Sequence, residues 1–221
     1  MEPKIIPIYH ASLILDWEKI IYVDPAWNED FYQDKPNPDL VLITDIHFDH
    51  LNIDVLKSLK GDFKIITPQA AYNELSKDLK ERAEILNNGE ETYFEDFKVL
   101  ALPMYNLTPE RLEFHPKGRG NGYLIEKENF RIYIAGDTED IPEMRNLKNI
   151  DLAFLPMNLP WTMSIEQAAS AVLEFKPKKV YPYHYQGEKS FSDIKKFKEL
   201  VEKENKNIQV ILENWYHSVE N

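Results

Sequence analysis

Between Asp45 and His50 the chain reads Asp-Ile-His-Phe-Asp-His, two carboxylates and two imidazoles within six residues, directly after the apolar run Leu40-Val41-Leu42-Ile43. Packing rarely asks for such a density of ligating groups. A buried strand that ends this way sets its side chains in a loop at the sheet edge. There, carboxylate oxygen and neutral imidazole nitrogen can face one point, and a metal ion is the occupant that point suits. The pattern recurs at lower density, because apolar runs also end at Asp24, at Gly136-Asp137-Thr138 and at His184, and a polar loop carries His115. One histidine after a strand is usually structural. Several strand ends delivering acids and imidazoles in one α/β chain favour a shared site.

The elements that must position these groups can be read along the chain. Lys4 to Ile8, Ser12 to Leu15 and Ile20 to Val23 are short β-rich runs, the look of an opening meander, and Asp24-Pro25 ends the third. After the Asp45 to His50 cluster, Leu51, Val55, Leu56 and Leu59 follow helical spacing, with Asn52 or Asp54 as N-cap and Gly61 as stop. The expected order continues with a strand at Lys64 to Ile66, a helix over Gln69 to Lys80, and one or two strands over Thr92 to Leu102. Pro103 to Asn121 reads as a long loop, and Gly122 to Glu126 with Phe130 to Ala135 as a hairpin. A strand at Leu152 to Leu155, a Ser164-capped helix to Phe175, a strand at Val180 to Tyr183, a helix over Ser192 to Glu204 and the apolar run Ile208 to Leu212 close the chain.

Composition bounds the chemistry. With no cysteine in 221 residues, disulfides, thiolate ligands and a cysteine nucleophile are excluded, so a metal must be held by nitrogen and oxygen. A hydrophobic content of 43% supports one core-bearing domain over 1–221. The excess of 38 acidic over 26 basic residues gives a net charge of −12, which repels polyanions and argues against nucleic acid. Met1 to Ile14 lacks a basic segment followed by an apolar stretch, and no apolar run approaches the length of a membrane span. The expectation is a cytoplasmic protein acting on a small molecule, with no nucleic-acid or membrane partner and with self-association left open.

The ordered motifs resemble a known family. Asp45-x-His47-x-Asp49-His50, His115, Gly136-Asp137-Thr138 and His184 are similar to the metallo-β-lactamase superfamily, whose usual first motif is His-x-His-x-Asp-His. Tyr9-His10-Ala11-Ser12, Val23-Asp24-Pro25, Phe114-His115-Pro116-Lys117-Gly118 and Pro182-Tyr183-His184-Tyr185 resemble its stand-alone hydrolase branch, which includes ascorbate-phosphate lactonase relatives. The resemblance spans nearly the whole chain and implies an α/β fold, a four-layer αββα sandwich.

Carried over by position, the resemblance implies two divalent metal ions, zinc first, with manganese or iron as alternatives. Asp45, His47 and His115 would hold one ion, Asp49, His50 and His184 the other, and Asp137 would bridge them. Such a centre would hydrolyse an ester, lactone, amide or phosphodiester bond with a metal-bound hydroxide. Asp49 would also orient water or take its proton, while Asp24 and His10 would act from behind the ligands. Asp45 stands where the family has histidine, which makes the first site the weaker one and the donor set harder. Two alternatives are an iron-dependent redox enzyme on the same fold and a non-catalytic metal-binding regulatory module. No residue is assigned to substrate. Tyr105, Asn106, Lys117 and Arg119 read chiefly as solvated loop residues, with a substrate phosphate or carboxylate as the alternative ligand. Trp161-Thr162-Met163 reads as apolar packing before pocket wall, and His217 as solvated. Gly118 to Gly122 looks flexible but lacks the context of a nucleotide loop.

Overall fold

In the computed structural model, which describes residues 2–216, the chain opens with β1 (Lys4–Tyr9), β2 (Ser12–Trp17), β3 (Lys19–Val23), β4 (Leu40–Leu42), β5 (Lys64–Thr67) and β6 (Ala83–Ile85). These six form one sheet in sequence order, antiparallel through β3 and parallel from there on. The second sheet repeats the plan. Its strands β7 (Glu91–Phe94), β8 (Phe97–Met104), β9 (Gly120–Lys127) and β10 (Phe130–Ile134) are antiparallel, and β11 (Leu152–Pro156), β12 (Lys179–Tyr183) and β13 (Gln209–Val210) add in parallel.

Side-chain alternation explains the layering. On β2, Leu13, Leu15 and Trp17 enter the core shared by the two sheets, while Ile14 enters a second core on the outer face. On β4 and just beyond it, Leu40 and Leu42 face inward and Val41 and Ile43 outward. The outer face of the first sheet is covered by α1 (Ile53–Ser58), α2 (Gln69–Glu74) and α3 (Lys77–Lys80), through Val55, Leu56, Ala71 and Leu79. On the other side α4 (Pro142–Arg145), α5 (Ile165–Phe175) and α6 (Ile194–Glu204) cover the second sheet, so the fold is a four-layer αββα sandwich. Its α5 begins at a reciprocal cap in which the Ser164 hydroxyl accepts from Gln167 N and the Gln167 side chain accepts from Ser164 N.

Three sequence expectations are corrected. Gln69 to Lys80 is two helices, because Leu75 and Ser76 are extended. Asn73 is a weak helix former and Ser76 favours a helix start, and Lys80 Nζ donates to the Asn73 carbonyl at 2.9 Å. The glycine-rich stretch is strand from Gly120 onward rather than a flexible loop, since a Cβ on Gly120 would meet the Thr44 carbonyl at 2.7 Å. The β6 and α4 segments, three and four residues long, are too short to show a period and were not anticipated. No helix among the described residues is long and apolar enough to cross a membrane. His217 lies outside the described residues.

Candidate metal centre

The carboxyl ends of β3, β4, β10 and β12, together with the β1–β2 turn, meet at one edge of the sandwich and carry the ionisable residues there. Backbone turned into the left-handed region aims them inward: φ is 56° at His10, 46° at Asp24 and 46° at His184. The turns interlock, because His184 N donates to the His10 carbonyl at 3.1 Å. Gly136, at φ 66°, leads into Asp137, and its N–H donates to the Tyr183 hydroxyl at 3.1 Å. The five histidines among the described residues converge, with ring centroids 3.8 Å apart for His10 and His184, 5.3 Å for His50 and His184, and 5.2 Å for His47 and His115.

Hydrogen bonds fix which nitrogen of each imidazole faces the centre. His50 Nδ1 lies 2.8 Å from Asp24 Oδ2. Thr44 donates to the same carboxylate from N at 2.7 Å and from Oγ1 at 2.6 Å. With both Asp24 oxygens taking donors, His50 carries its proton on Nδ1 and turns a bare Nε2 to the site. His115 is held in the same sense, its Nδ1 donating to the Trp161 carbonyl at 3.2 Å. His10 is held in the opposite sense. The Tyr216 oxygen already accepts from Gln186 N at 3.0 Å, so its hydroxyl donates to His10 Nδ1 at 2.9 Å and leaves the proton on Nε2, 3.3 Å from Asp49 Oδ2.

At the floor of the site, donor atoms crowd without bonding one another. His184 Nε2 is 3.3 Å from both Asp49 Oδ2 and Asp137 Oδ1, and His50 Nε2 is 3.4 Å from Asp137 Oδ2. Yet His50 Nε2, Asp137 Oδ1 and both His184 nitrogens are buried without a hydrogen-bond partner. Orphaned buried donors cost stability unless something satisfies them, and a cation accepting lone pairs from imidazole and carboxylate does so. The ligand atoms of His50, Asp137 and His184 lie within 4.8 Å of one another, as do those of His10, Asp49 and His184 and those of Asp45, His47 and His115. His50, Asp137 and His184, whose ligand atoms are the orphaned ones, fit a divalent ion.

Electrostatics agree in sign. Burial opposes ionisation of Asp137 and Asp49, but the neighbouring imidazoles outweigh it and hold both carboxyls well below their usual range. Burial likewise opposes protonation of His50 and His184, yet the carboxylates push His50 well up and His184 to about 9. His10 moves the other way, because burial and then His184 bring it down to about 4, a neutral imidazole at neutral pH.

The first-motif group is built differently. Arg119 forks onto Asp45, Nε to Oδ1 at 3.0 Å and Nη2 to Oδ2 at 2.6 Å. The same Nη2 lies 3.1 Å from His47 Nε2 and donates to the Phe114 carbonyl at 2.6 Å. Asp45 is fully buried. Beside both groups opens a cavity of about 460 Å³, with Trp27, Phe48, Phe114 and Trp161 among its walls and His47, His115, Asp49 and Asp137 toward its floor.

Comparisons with known proteins decide the family. The description "Beta-lactamase superfamily domain" matches residues 20–185. The chain belongs to the β-lactamase superfamily. It is 30% identical over 207 residues to the UPF0173 metal-dependent hydrolase of Pyrococcus horikoshii, covering 87% of this chain and 89% of that one. A crystal structure from Parabacteroides distasonis, assigned to the metal-dependent hydrolases, superposes with a TM-score of 0.84 at 39% identity over 94% of this chain and 91% of that one. Igni18, a metallo hydrolase of Ignicoccus hospitalis, shares the fold with a TM-score of 0.79 at 24% identity over 95% and 94% of the two chains. This protein is therefore a metal-dependent hydrolase of the metallo-β-lactamase fold.

Within this hydrolase the structure brings together Asp45, His47, Asp49, His50, His115, Asp137 and His184, with Asp24 behind His50 and His10 behind Asp49. The loop residues differ from expectation. Asn106 is buried and bonds the carbonyls of Arg111 and Trp161, and Tyr105 is buried and bonds Glu143 at 2.9 Å. Arg119 is an ion-pair partner of the first motif rather than a solvated side chain. Lys117 alone of the four is largely exposed, over the Tyr105 ring. Trp161 lines the cavity, whereas Thr162 and Met163 are fully buried. Tyr216, Tyr183 and Trp27 receive no site role from the sequence, because an aromatic residue beside a ligating one reads as packing and their contacts with the site are long-range.

Proposed function

We propose that this hydrolase cleaves an ester, lactone or amide bond in a small, partly apolar cytosolic metabolite. The observation that carries the reading is the set of unpartnered buried donor atoms of His50, Asp137 and His184, of which Asp137 also lines an aromatic-walled cavity. When bound there, a divalent ion, zinc before manganese or iron for a nitrogen and oxygen donor set, supplies Lewis acidity and brings the pKa of water toward neutrality.

The protein's own groups do the rest. Asp24 and Thr44 fix the His50 tautomer, so that imidazole offers a lone pair rather than a proton. His10, oriented by Tyr216, holds Asp49 Oδ2, the oxygen placed to take a proton from an attacking water. Asn158 lines the cavity with its Oδ1 engaged by the Thr162 hydroxyl, which leaves the amide nitrogen to donate to a substrate carbonyl oxygen as charge develops on it. Trp27, Phe48, Phe114 and Trp161 bind apolar substrate surface and exclude water. Phe48, 70% exposed, forms a lip over Trp27, with ring centroids 5.3 Å apart.

Acyl substrates are favoured over phosphodiesters because no lysine or arginine is among the described residues that line the cavity, and Glu188 adds negative charge to the wall. Chelator-stripped protein reloaded with zinc, manganese or iron, assayed on lactone, aryl ester, thioester, amide and phosphodiester panels, tests this reading. Turnover of acyl substrates that is lost on chelation and regained on reloading is expected. Turnover confined to phosphodiesters would overturn it.

A further inference from the structure

We infer that the first-motif group of this chain holds the Arg119 guanidinium where the family pattern calls for a metal ion, and that the centre binds a single divalent ion in the His50, Asp137, His184 group. The first half rests on the contacts of Arg119 alone; the second rests on the metal-centre reading above.

Every ligand atom that Asp45 and His47 offer is already engaged. Both Asp45 oxygens accept from the Arg119 fork, His47 Nδ1 lies 3.1 Å from Asp45 Oδ2, and His47 Nε2 lies 3.1 Å from Arg119 Nη2. The contrast with the second group is sharp, since both buried Asp45 oxygens have partners while His50 Nε2, Asp137 Oδ1 and both His184 nitrogens have none. Guanidinium suits the place. It is always charged, its planar fork matches one carboxylate, and Nη2, with one hydrogen on Asp45 Oδ2, turns its second toward the Phe114 carbonyl at 2.6 Å with His47 Nε2 3.1 Å away. A metal ion bound by Asp45 and His47 would have to displace a buried bidentate pair and leave an unpaired arginine whose side chain is only 17% exposed.

Backbone construction holds the arginine there. Asn121 N donates to the Thr44 carbonyl at 2.8 Å, which zips the start of β9 to the residue preceding Asp45. Only a residue without Cβ fits at Gly120, between Met104 and that carbonyl, so Arg119 is delivered beside Asp45 by a close approach specific to glycine. The acid at position 45 is then explained as well. Histidine there would set an imidazole against a fixed cation, whereas aspartate neutralises it.

Metal analysis and zinc competition titration on the full chain test the inference. Wild type should bind one ion. His47→Ala should keep that ion with affinity within about threefold, whereas His50→Ala should lose more than about 100-fold, beyond the range typical of groups that only support a ligand. The paired change Asp45→His with Arg119→Met should raise the count to two, and reloading with cobalt should then show a spin-coupled pair absent from wild type. Two ions on wild type, or loss of the ion in His47→Ala, overturns the inference while leaving a metal centre in place. No ion on wild type overturns both this inference and the metal-centre reading. A count that stays at one in a paired variant with a wild-type circular dichroism spectrum overturns the role of Arg119 as the excluding group. Should that variant fail to fold, the His47→Ala and His50→Ala contrast decides.

Discussion

Replacing Asp24 by asparagine changes one atom in a buried network and reports on the tautomer logic of the whole centre. The Asp24 carboxylate is fully buried and receives Thr44 N at 2.7 Å, Thr44 Oγ1 at 2.6 Å and His50 Nδ1 at 2.8 Å. All three partners are donors, so an amide, which has one accepting oxygen, must turn its NH2 toward one of them. If the oxygen stays on Thr44 N, the NH2 faces the position shared by Thr44 Oγ1 and His50 Nδ1. His50 then relieves the clash by moving its proton to Nε2, the nitrogen aimed at the metal. Losing charge-assisted bonds and stranding a buried donor costs about 2 to 3 kcal/mol. For a chain of this size that lowers the melting temperature of the metal-free protein by roughly 4 to 12 °C. Metal affinity should fall about 10- to 100-fold, the usual effect of disturbing a group that orients a ligand. Thermal unfolding in chelator gives the first quantity and competition titration with a chromophoric chelator the second. A variant that melts lower yet binds metal with wild-type affinity would refute the claim that Asp24 sets the His50 tautomer.

Other perturbations read out the remaining parts. Asp137→Ala removes the carboxylate that touches His50, His115 and His184 and should abolish both metal content and turnover; retention of both removes Asp137 from the centre. Asn158→Ala should leave metal content unchanged and lower kcat about 100- to 1000-fold, the range for one lost donor to developing oxyanion charge, and an unchanged kcat excludes that role. In chelator, His184, with its folded-state value raised to about 9, gives stability that is complete below its unfolded value of about 6.5 and lost as pH rises through 9. The metal-free protein should therefore melt progressively lower between those limits, and a melting temperature flat from pH 6 to 10 excludes the raised value. Asp49 and Asp137 are shifted the opposite way, so their contribution is present above the ordinary carboxylate range and fades as pH falls toward it and below.

Much of this was legible in the sequence because the information is local. The alternation of Leu13, Leu15 and Trp17 against Ile14 encodes a strand between two cores, and the Ser164 and Gln167 pair writes a helix start three residues long. Asp24, Asp49, His50, Asp137 and His184 are legible for a related reason. Each follows an apolar run, and parallel strands in sheets stacked face to face deliver their carboxyl ends to a common edge. What stayed hidden depends on distance in the chain. Tyr216 lies 206 residues from the histidine it orients, and no local period links the two.

Arg119 shows where local reading stops. Its sequence neighbours include Pro116, Lys117, Gly118 and Gly120, which describe a solvated loop, whereas the decisive interaction is with a residue 74 positions away. Yet a trace was present. A carboxylate in place of a neutral ligand at the end of a buried strand creates a negative charge that burial cannot tolerate alone, so the fold must supply a cation within reach. Arg119 lies four residues beyond His115, and His115 is brought to the centre by the same loop. The departure at position 45 and the arginine in the loop are therefore two halves of one buried pair, and a change in either one alone leaves a stranded charge at the edge of the metal centre.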